Sequence, residues 1–204
     1  MWLANMDESV LLWINGLVGH SSLIDGVIRL FATDYFVPVI LSLALLGLWF
    51  SGQDAESREH NQKTVIYAAL SIAIASALVA IGNQFYYRDR PFIELPELLD
   101  GLTGSGRLFY PPHDSSFPSN MATIVFAIAT AVFLGNRKLG AILFIPAFLV
   151  CFARVCVGVH YSLDIVGGIV LGVITACVIS KPLAGLLNIV TDPVLRVLRK
   201  ICLA

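Results

Sequence analysis

Charge is scarce in this chain. Asp, Glu, Lys and Arg make up 13% of its 204 residues, where ordinary soluble domains carry about 25%. With 57% hydrophobic residues and a mean hydropathy of +0.83, the composition excludes an ordinary soluble domain and predicts a membrane protein. Neither sign of charge dominates: the formal net charge is −1, so no nucleic-acid partner is expected. Cysteine is sparse too. Cys151, Cys156 and Cys177 lie inside apolar runs, Cys202 sits near the end, and no second Cys or His pair completes a zinc site. All four read as small buried hydrophobes rather than ligands or disulfide partners. No acidic cluster suggests Mg²⁺ or Zn²⁺, and neither a cofactor nor a metal is expected. No internal repeat or low-complexity tract is present. The opening "MWLANMDESV" lacks a basic n-region and carries Asp7 and Glu8, so a cleaved signal peptide is not expected.

Long apolar runs are abundant instead. A spanning helix needs about 20 mostly apolar residues, and five segments qualify or nearly do: 35–51, 64–86, 119–135, 138–157 and 161–181. Residues 8–31 are apolar but interrupted by Gly16, Gly19, His20, Ser21 and Ser22. Two short interfacial helices or a broken sixth span both fit. The tail from Pro182 to Ala204 sets Arg196, Arg199 and Lys200 among Val and Leu and reads as an amphipathic surface helix. The expected fold is all-α: a polytopic bundle of five to six spans over one domain, 1–204, with interfacial helices at both termini. Nothing in the pattern specifies an oligomeric state.

Lys and Arg in short connections set orientation. Arg58 and Lys63, Arg137 and Lys138, and the tail with Lys181 fall on one side if the spans alternate. That side is expected to be cytoplasmic. The opposite side receives the 157–161 turn and the irregular 87–118 loop, expected to cap a site at the headgroup level. It nevertheless holds Arg88, Arg90, Arg107 and Arg154, and basic residues on the side that usually avoids them call for an explanation.

Three clusters converge there: "NQFYYRDRPF", "PSNM" and "ARVCVGVHYSLD". His160 and Asp164 are four apart at a helix start and share a face. A carboxylate on one ring nitrogen would fix the tautomer and free the other nitrogen to attack. A lone His is often a satisfied core residue and a lone Arg154 often snorkels; the set Arg-x5-His-x3-Asp is more demanding. Ser119 after Pro118 is an ordinary N-cap, but the same geometry aims free N–H groups at an anion. Arg90 and Arg154 supply forks matched to phosphate oxygens. Together these favour phosphoryl chemistry.

At this point the chain resembles the type 2 phosphatidic acid phosphatases, a family of membrane lipid phosphatases. Their motifs Lys-x6-Arg-Pro, Pro-Ser-Gly-His and Ser-Arg-x5-His-x3-Asp align with Asn83 to Arg90-Pro91, with Pro118 to Met121, and with Ala153-Arg154 to His160 and Asp164. The resemblance implies that His160 forms a phosphohistidine, that Asp164 orients it, and that Arg90, Arg154 and Ser119 bind phosphate without a metal. It departs at four places. Asn83 removes a cation that Arg88 would replace; Asn120 for Gly keeps the backbone N–H; Ala153 removes a hydroxyl. Met121 stands where the family's acid histidine protonates the leaving oxygen, which a thioether cannot do.

A diphosphate leaving group needs less protonation than an alkoxide, so Met121 favours a polyprenyl diphosphate such as undecaprenyl diphosphate. Phosphatidylglycerol phosphate, phosphatidic acid and a lipid A phosphate stand behind it. The "YYRDRPF" wording is similar to that of bacterial undecaprenyl diphosphate phosphatases. His113 in the loop is a candidate substitute acid. The expected setting is a bacterial cytoplasmic membrane with the site on its outer, periplasmic face. The alternatives are a catalytically impaired lipid-phosphate-binding or lipid-moving protein of the same fold, with Met121 natural or introduced, and a transporter. A transporter is disfavoured because broken spans with mid-membrane polar residues are missing.

Overall fold

The computed structural model describes residues 2–95 and 114–200, with side chains from residue 5 onward. Among these residues every element is a helix. They are α1 (Trp2–Asn15), α2 (Ser22–Ala32), α3 (Phe36–Trp49), α4 (Ala55–Phe85), the single turn α5 (Pro91–Glu94), α6 (Asn120–Gly135), α7 (Arg137–Cys156), α8 (Ser162–Ser180) and α9 (Ala184–Lys200).

Local sequence sets the helix starts. Asp54 accepts from Ser57 N at 2.7 Å while Ser57 Oγ accepts from Asp54 N at 3.3 Å, a reciprocal capping box that opens α4. Asn136 accepts from Leu139 N at 3.1 Å and is the single residue between the end of α6 and the start of α7.

Three helices, α4, α7 and α8, are each long and apolar enough to cross a membrane; α2 and α3 qualify together as a span bent by 59°. The five expected spans thus correspond to α3, α4, α6, α7 and α8. α6 has only 16 residues, about 24 Å of helix against a hydrocarbon core of about 30 Å. It is the central element, packed by α4, α7 and α8 and buried from Ala122 through Val132 apart from Ile124. Outward faces carry Leu43, Phe85, Ile145, Phe148 and Ile174, an apolar surface suited to lipid.

The ambiguous 8–31 segment does not form a sixth span: it splits into α1, a separate short helix, and α2, which joins the 35–51 span. Asp7 Oδ1 accepts from Leu163 N at 3.0 Å and Asn15 Nδ2 donates to the Cys156 carbonyl at 2.8 Å. The middle and the C-terminal end of α1 therefore touch the same end of the bundle, so α1 lies across that end. α2, packed on α7 through Ile28 and Ala32, joins α3 as the bent span. The tail is the expected amphipathic helix. Asn188 accepts from Tyr67 Oη at 2.7 Å, Asp192 pairs with Lys63 at 2.8 Å and Arg199 with Glu59 at 2.9 Å. Leu186, Ile189, Val190 and Val197 face outward. His60 Nε2 meets the Gly135 carbonyl at 3.0 Å, so the three basic segments share the end of the bundle opposite α1.

α6 and α8 approach closely along Gly168 and Gly172, a small-residue stripe. A Cβ on Gly172 would stand 2.4 Å from the Thr123 carbonyl oxygen, and backbone cannot rotate aside. Gly172→Ala should therefore lower stability by roughly 1–3 kcal/mol through overpacking. Thermal unfolding in detergent would show it, with Gly185→Ala, where a Cβ meets nothing within 4 Å, as the neutral control.

Candidate active site at the α1 end of the bundle

The chain leaves α4 in extended conformation and pairs with the segment that leads into α6. Arg88 N donates to Ser115 Oγ at 3.1 Å and Ser116 N donates to the Arg88 carbonyl at 2.8 Å. Asn83, with its amide oriented by its neighbours, donates to Phe117 O at 3.2 Å and Val79 O at 3.3 Å. Nearby, Gly158 adopts φ +67°, a left-handed conformation that glycine enters without Cβ strain. It turns the chain from α7 towards α8 and delivers His160, 2% exposed, beneath the first strand of contacts.

The imidazole is held on both nitrogens. Nδ1 lies 3.0 Å from the Ser116 carbonyl oxygen, which can only accept, so Nδ1 carries the proton. Nε2 then presents its lone pair and accepts from Arg90 Nη1 at 3.2 Å. Burial, aided by the charges of Arg154 and Arg90, pushes the His160 pKa down to about 4. The ring is therefore neutral at pH 7, with an unprotonated nitrogen facing a guanidinium. Such a nitrogen can attack phosphorus without first losing a proton.

Asp164 does not reach the ring as the spacing predicts. Its Oδ2 is 3.8 Å from Nδ1, beyond hydrogen-bond range, because His160 lies in the turn before α8 and Ser116 inserts between them. Oδ2 accepts from Ser116 Oγ and from Tyr161 N at 2.9 Å. Oδ1 accepts from Arg88 Nη1 at 2.7 Å. Ser116 thus touches His160 through its carbonyl and Asp164 through its hydroxyl.

Arg88 is otherwise engaged than expected. Its second nitrogen pairs with Asp7 Oδ2 at 2.8 Å, and its guanidinium lies 3.9 Å above the Tyr161 ring centroid. Tyr161 Oη in turn donates to Glu94. With both forks on carboxylates, Arg88 is not turned outward to replace the cation lost at Asn83.

Arg90 contacts His160, and Arg154 is near enough for its charge to act on the ring. Arg90 donates to the Val159 carbonyl at 3.2 Å, to Asp114 Oδ1 at 2.8 Å and to the Asp114 carbonyl at 3.2 Å. Arg154, 6% exposed, donates through Nη1 to Asp34 Oδ1 at 2.6 Å and Ala32 O at 3.4 Å, while its buried Nε has no partner. A buried guanidinium N–H without an acceptor is uncommon and is open to an anion. Both carboxylate partners, Asp114 and Asp34, are more than half exposed, so an incoming anion could displace them into water.

Ser119 is fully buried. Its Oγ accepts from Ala122 N at 3.4 Å and its N donates to the Asp164 carbonyl at 3.0 Å, so the cap and the α8 start are tied together. Asn120 is exposed at the first turn of α6, where N–H groups have no intrahelical acceptor. Met121 is half-buried and packs against the apolar core that includes Tyr161 and Val125. His113 and Arg107, with most of the 87–118 loop, lie outside the described residues.

Spacing thus predicted a cluster of Arg90, Arg154, His160, Asp164 and Ser119, and the fold brings them together. Ser116, Asp7, Asp34 and Asp114 were not anticipated. A signal existed for two of them: Ser116 belongs to the hydroxyl pair just before "FPS", and Asp7 is a carboxylate within an apolar helix.

Residues 64–183 match the model of the PAP2 superfamily. The chain is 32% identical over 171 residues to undecaprenyl-diphosphatase BcrC of Bacillus subtilis, covering 83% of this chain and 80% of that one. It is 28% identical over 173 residues to the putative undecaprenyl-diphosphatase YbjG of Escherichia coli, 84% and 80% of the two chains. LpxE of Aquifex aeolicus superposes with a TM-score of 0.63 at 29% identity, covering 85% of this chain and 93% of that one. A PAP2-type phosphatidylglycerolphosphate phosphatase of Bacillus subtilis does so at 0.57 and 18% identity, over 87% and 84%; that likeness speaks for the fold alone. With the family model spanning more than half of its length, the chain belongs to the PAP2 superfamily of membrane phosphatases.

Proposed function

We propose that this protein removes the terminal phosphate of a polyprenyl diphosphate, undecaprenyl diphosphate first, through a phosphohistidine on His160 and without a metal ion. The observation that carries the reading is the state of His160: proton on Nδ1, lone pair on Nε2, and Nε2 beside Arg90. In the first step the Nε2–P bond forms as the bridging P–O bond breaks, and the electron pair leaves on the lipid monophosphate. Water then attacks the phosphohistidine, releasing inorganic phosphate and restoring the imidazole. Arg90, Arg154 with its open Nε, and the α6 N-terminus at Ser119 and Asn120 would carry the phosphate charge.

Met121 supports the choice of a diphosphate. General acid assistance is typically worth about 10²–10⁴-fold, and an alkoxide leaving group depends on it. A departing phosphate is a much weaker base and can leave without a proton from position 121. The names of the BcrC and YbjG relatives support the same substrate. The basic segments at the opposite end of the bundle favour a cytoplasmic location for that end. The site would then face outward from a bacterial cytoplasmic membrane, in a single membrane-embedded domain.

The same residue favours a second reading, a lipid-phosphate-binding protein that has lost turnover, because Met121 packs into the core and Asn83 is turned to backbone carbonyls. Phosphate release from undecaprenyl diphosphate, compared between this chain and Met121→His, separates them. Equal turnover of both is expected. Activity in Met121→His alone would make this chain the impaired form.

A further inference from the structure

We propose that Asp7, on a helix outside the residues that match the family model, is a positioning residue for His160, acting through Arg88, Asp164 and Ser116. The inference rests on the function proposed above. Asp7 is 3% exposed, and a buried carboxylate is retained only with partners that repay its desolvation. It has two. Oδ2 takes Arg88 Nη2 at 2.8 Å, and Oδ1 takes Leu163 N at 3.0 Å, one of the open N–H groups in the first turn of α8.

The consequence lies in what Arg88 does with its other nitrogen. It binds Asp164 Oδ1 at 2.7 Å, leaving Oδ2 to accept from Ser116 Oγ. Ser116 is the residue whose carbonyl fixes the proton on His160 Nδ1. A guanidinium can bridge two carboxylates because its two terminal nitrogens point in fixed, separate directions. Asp7 therefore holds Arg88 in the one orientation that pins Asp164, and the order passes along the chain to the ring. The cation–π contact with Tyr161 at 3.9 Å closes the remaining face of Arg88. α1 is thus part of the positioning of His160 as well as an interfacial helix, acting through Arg88 and the start of α8.

Asp7→Asn tests this in the full chain. The amide oxygen still accepts from Leu163 N, so the α8 cap survives, while the charge that holds Arg88 is lost. The expected result is a fall in kcat of about 10-fold, as for other small displacements of a reacting group, with KM changed less than about 2-fold because Arg90 and Arg154 are untouched. In parallel, the ¹⁵N spectrum of His160 should change from the Nδ1–H form alone to a mixture of tautomers. Arg88→Lys, which keeps the charge but has one ammonium for two carboxylates, should reproduce both effects and stands in if Asp7→Asn does not fold. Wild-type kcat together with a single His160 tautomer in these variants overturns the proposal. The spectrum also separates the two claims. If the wild-type chain releases no phosphate, the enzyme reading fails, and the tautomer ratio in Asp7→Asn still decides whether Asp7 positions His160.

Discussion

His160→Ala should lower phosphate release from undecaprenyl diphosphate by at least about 10⁴-fold, since loss of a covalent nucleophile leaves only the binding and electrostatic parts of catalysis. Binding of the lipid should stay within about 3-fold, because the phosphate charge would rest on Arg90, Arg154 and the α6 N-terminus. Removing the ring deprives Arg90 Nη1 of one acceptor, but the Val159 carbonyl at 3.2 Å remains, so Arg90 is not stranded. The pair of measurements is equilibrium binding to lipid in detergent micelles and single-turnover phosphate release. Full activity in His160→Ala would sink the phosphohistidine mechanism. Wild-type protein mixed with substrate carrying ³²P in its terminal phosphate and quenched in alkaline denaturant should retain a label that is stable to alkali and lost in acid, and the variant should retain none.

The second large effect is expected at Arg154. Removing one charge-stabilising donor in a water-poor site costs about 10²–10³-fold in kcat, and Arg154→Ala should fall in that range while also weakening lipid binding. The loss should not come from unfolding. Asp34, the carboxylate it leaves behind, is 64% exposed and can be solvated, unlike a buried partner. Arg154→Lys should restore little, because one ammonium cannot hold Asp34 or the Ala32 carbonyl and also offer the N–H that now points at no acceptor. A thermal midpoint near wild type with both binding and turnover reduced is the expected pattern. Unchanged phosphate release would remove Arg154 from the anion site and leave it as an anchor for the α2–α3 bend.

These two residues were legible in the chain because their signals are local. His160 and Asp164 are four apart, Arg154 lies six residues before His160, and Pro118-Ser119 opens an apolar helix. The spans were equally legible, since a run of apolar residues long enough to cross a bilayer has few other stable homes. Residues 8–31 resisted because Gly19 and the serines interrupt the pattern in a way that both a bend and an interfacial pair produce. The contacts of α1, Asp7 with Leu163 and Asn15 with Cys156, set it across the bundle end, while α2 joins the 35–51 span.

By itself, then, the sequence determined membrane residence, the helical class, the end of the bundle where the arginines gather and the residues that converge there. Each of these follows from composition or from spacing within one helix or turn. Only the tertiary structure decided the wiring. Helical spacing cannot reveal that Ser116, 44 residues before His160, stands between that ring and Asp164. Nor can it reveal that Arg88 is consumed by two carboxylates far apart in the chain, Asp7 and Asp164. Such choices depend on which polar groups meet once burial denies them water. Every buried donor and acceptor then competes for the partners the packing happens to supply.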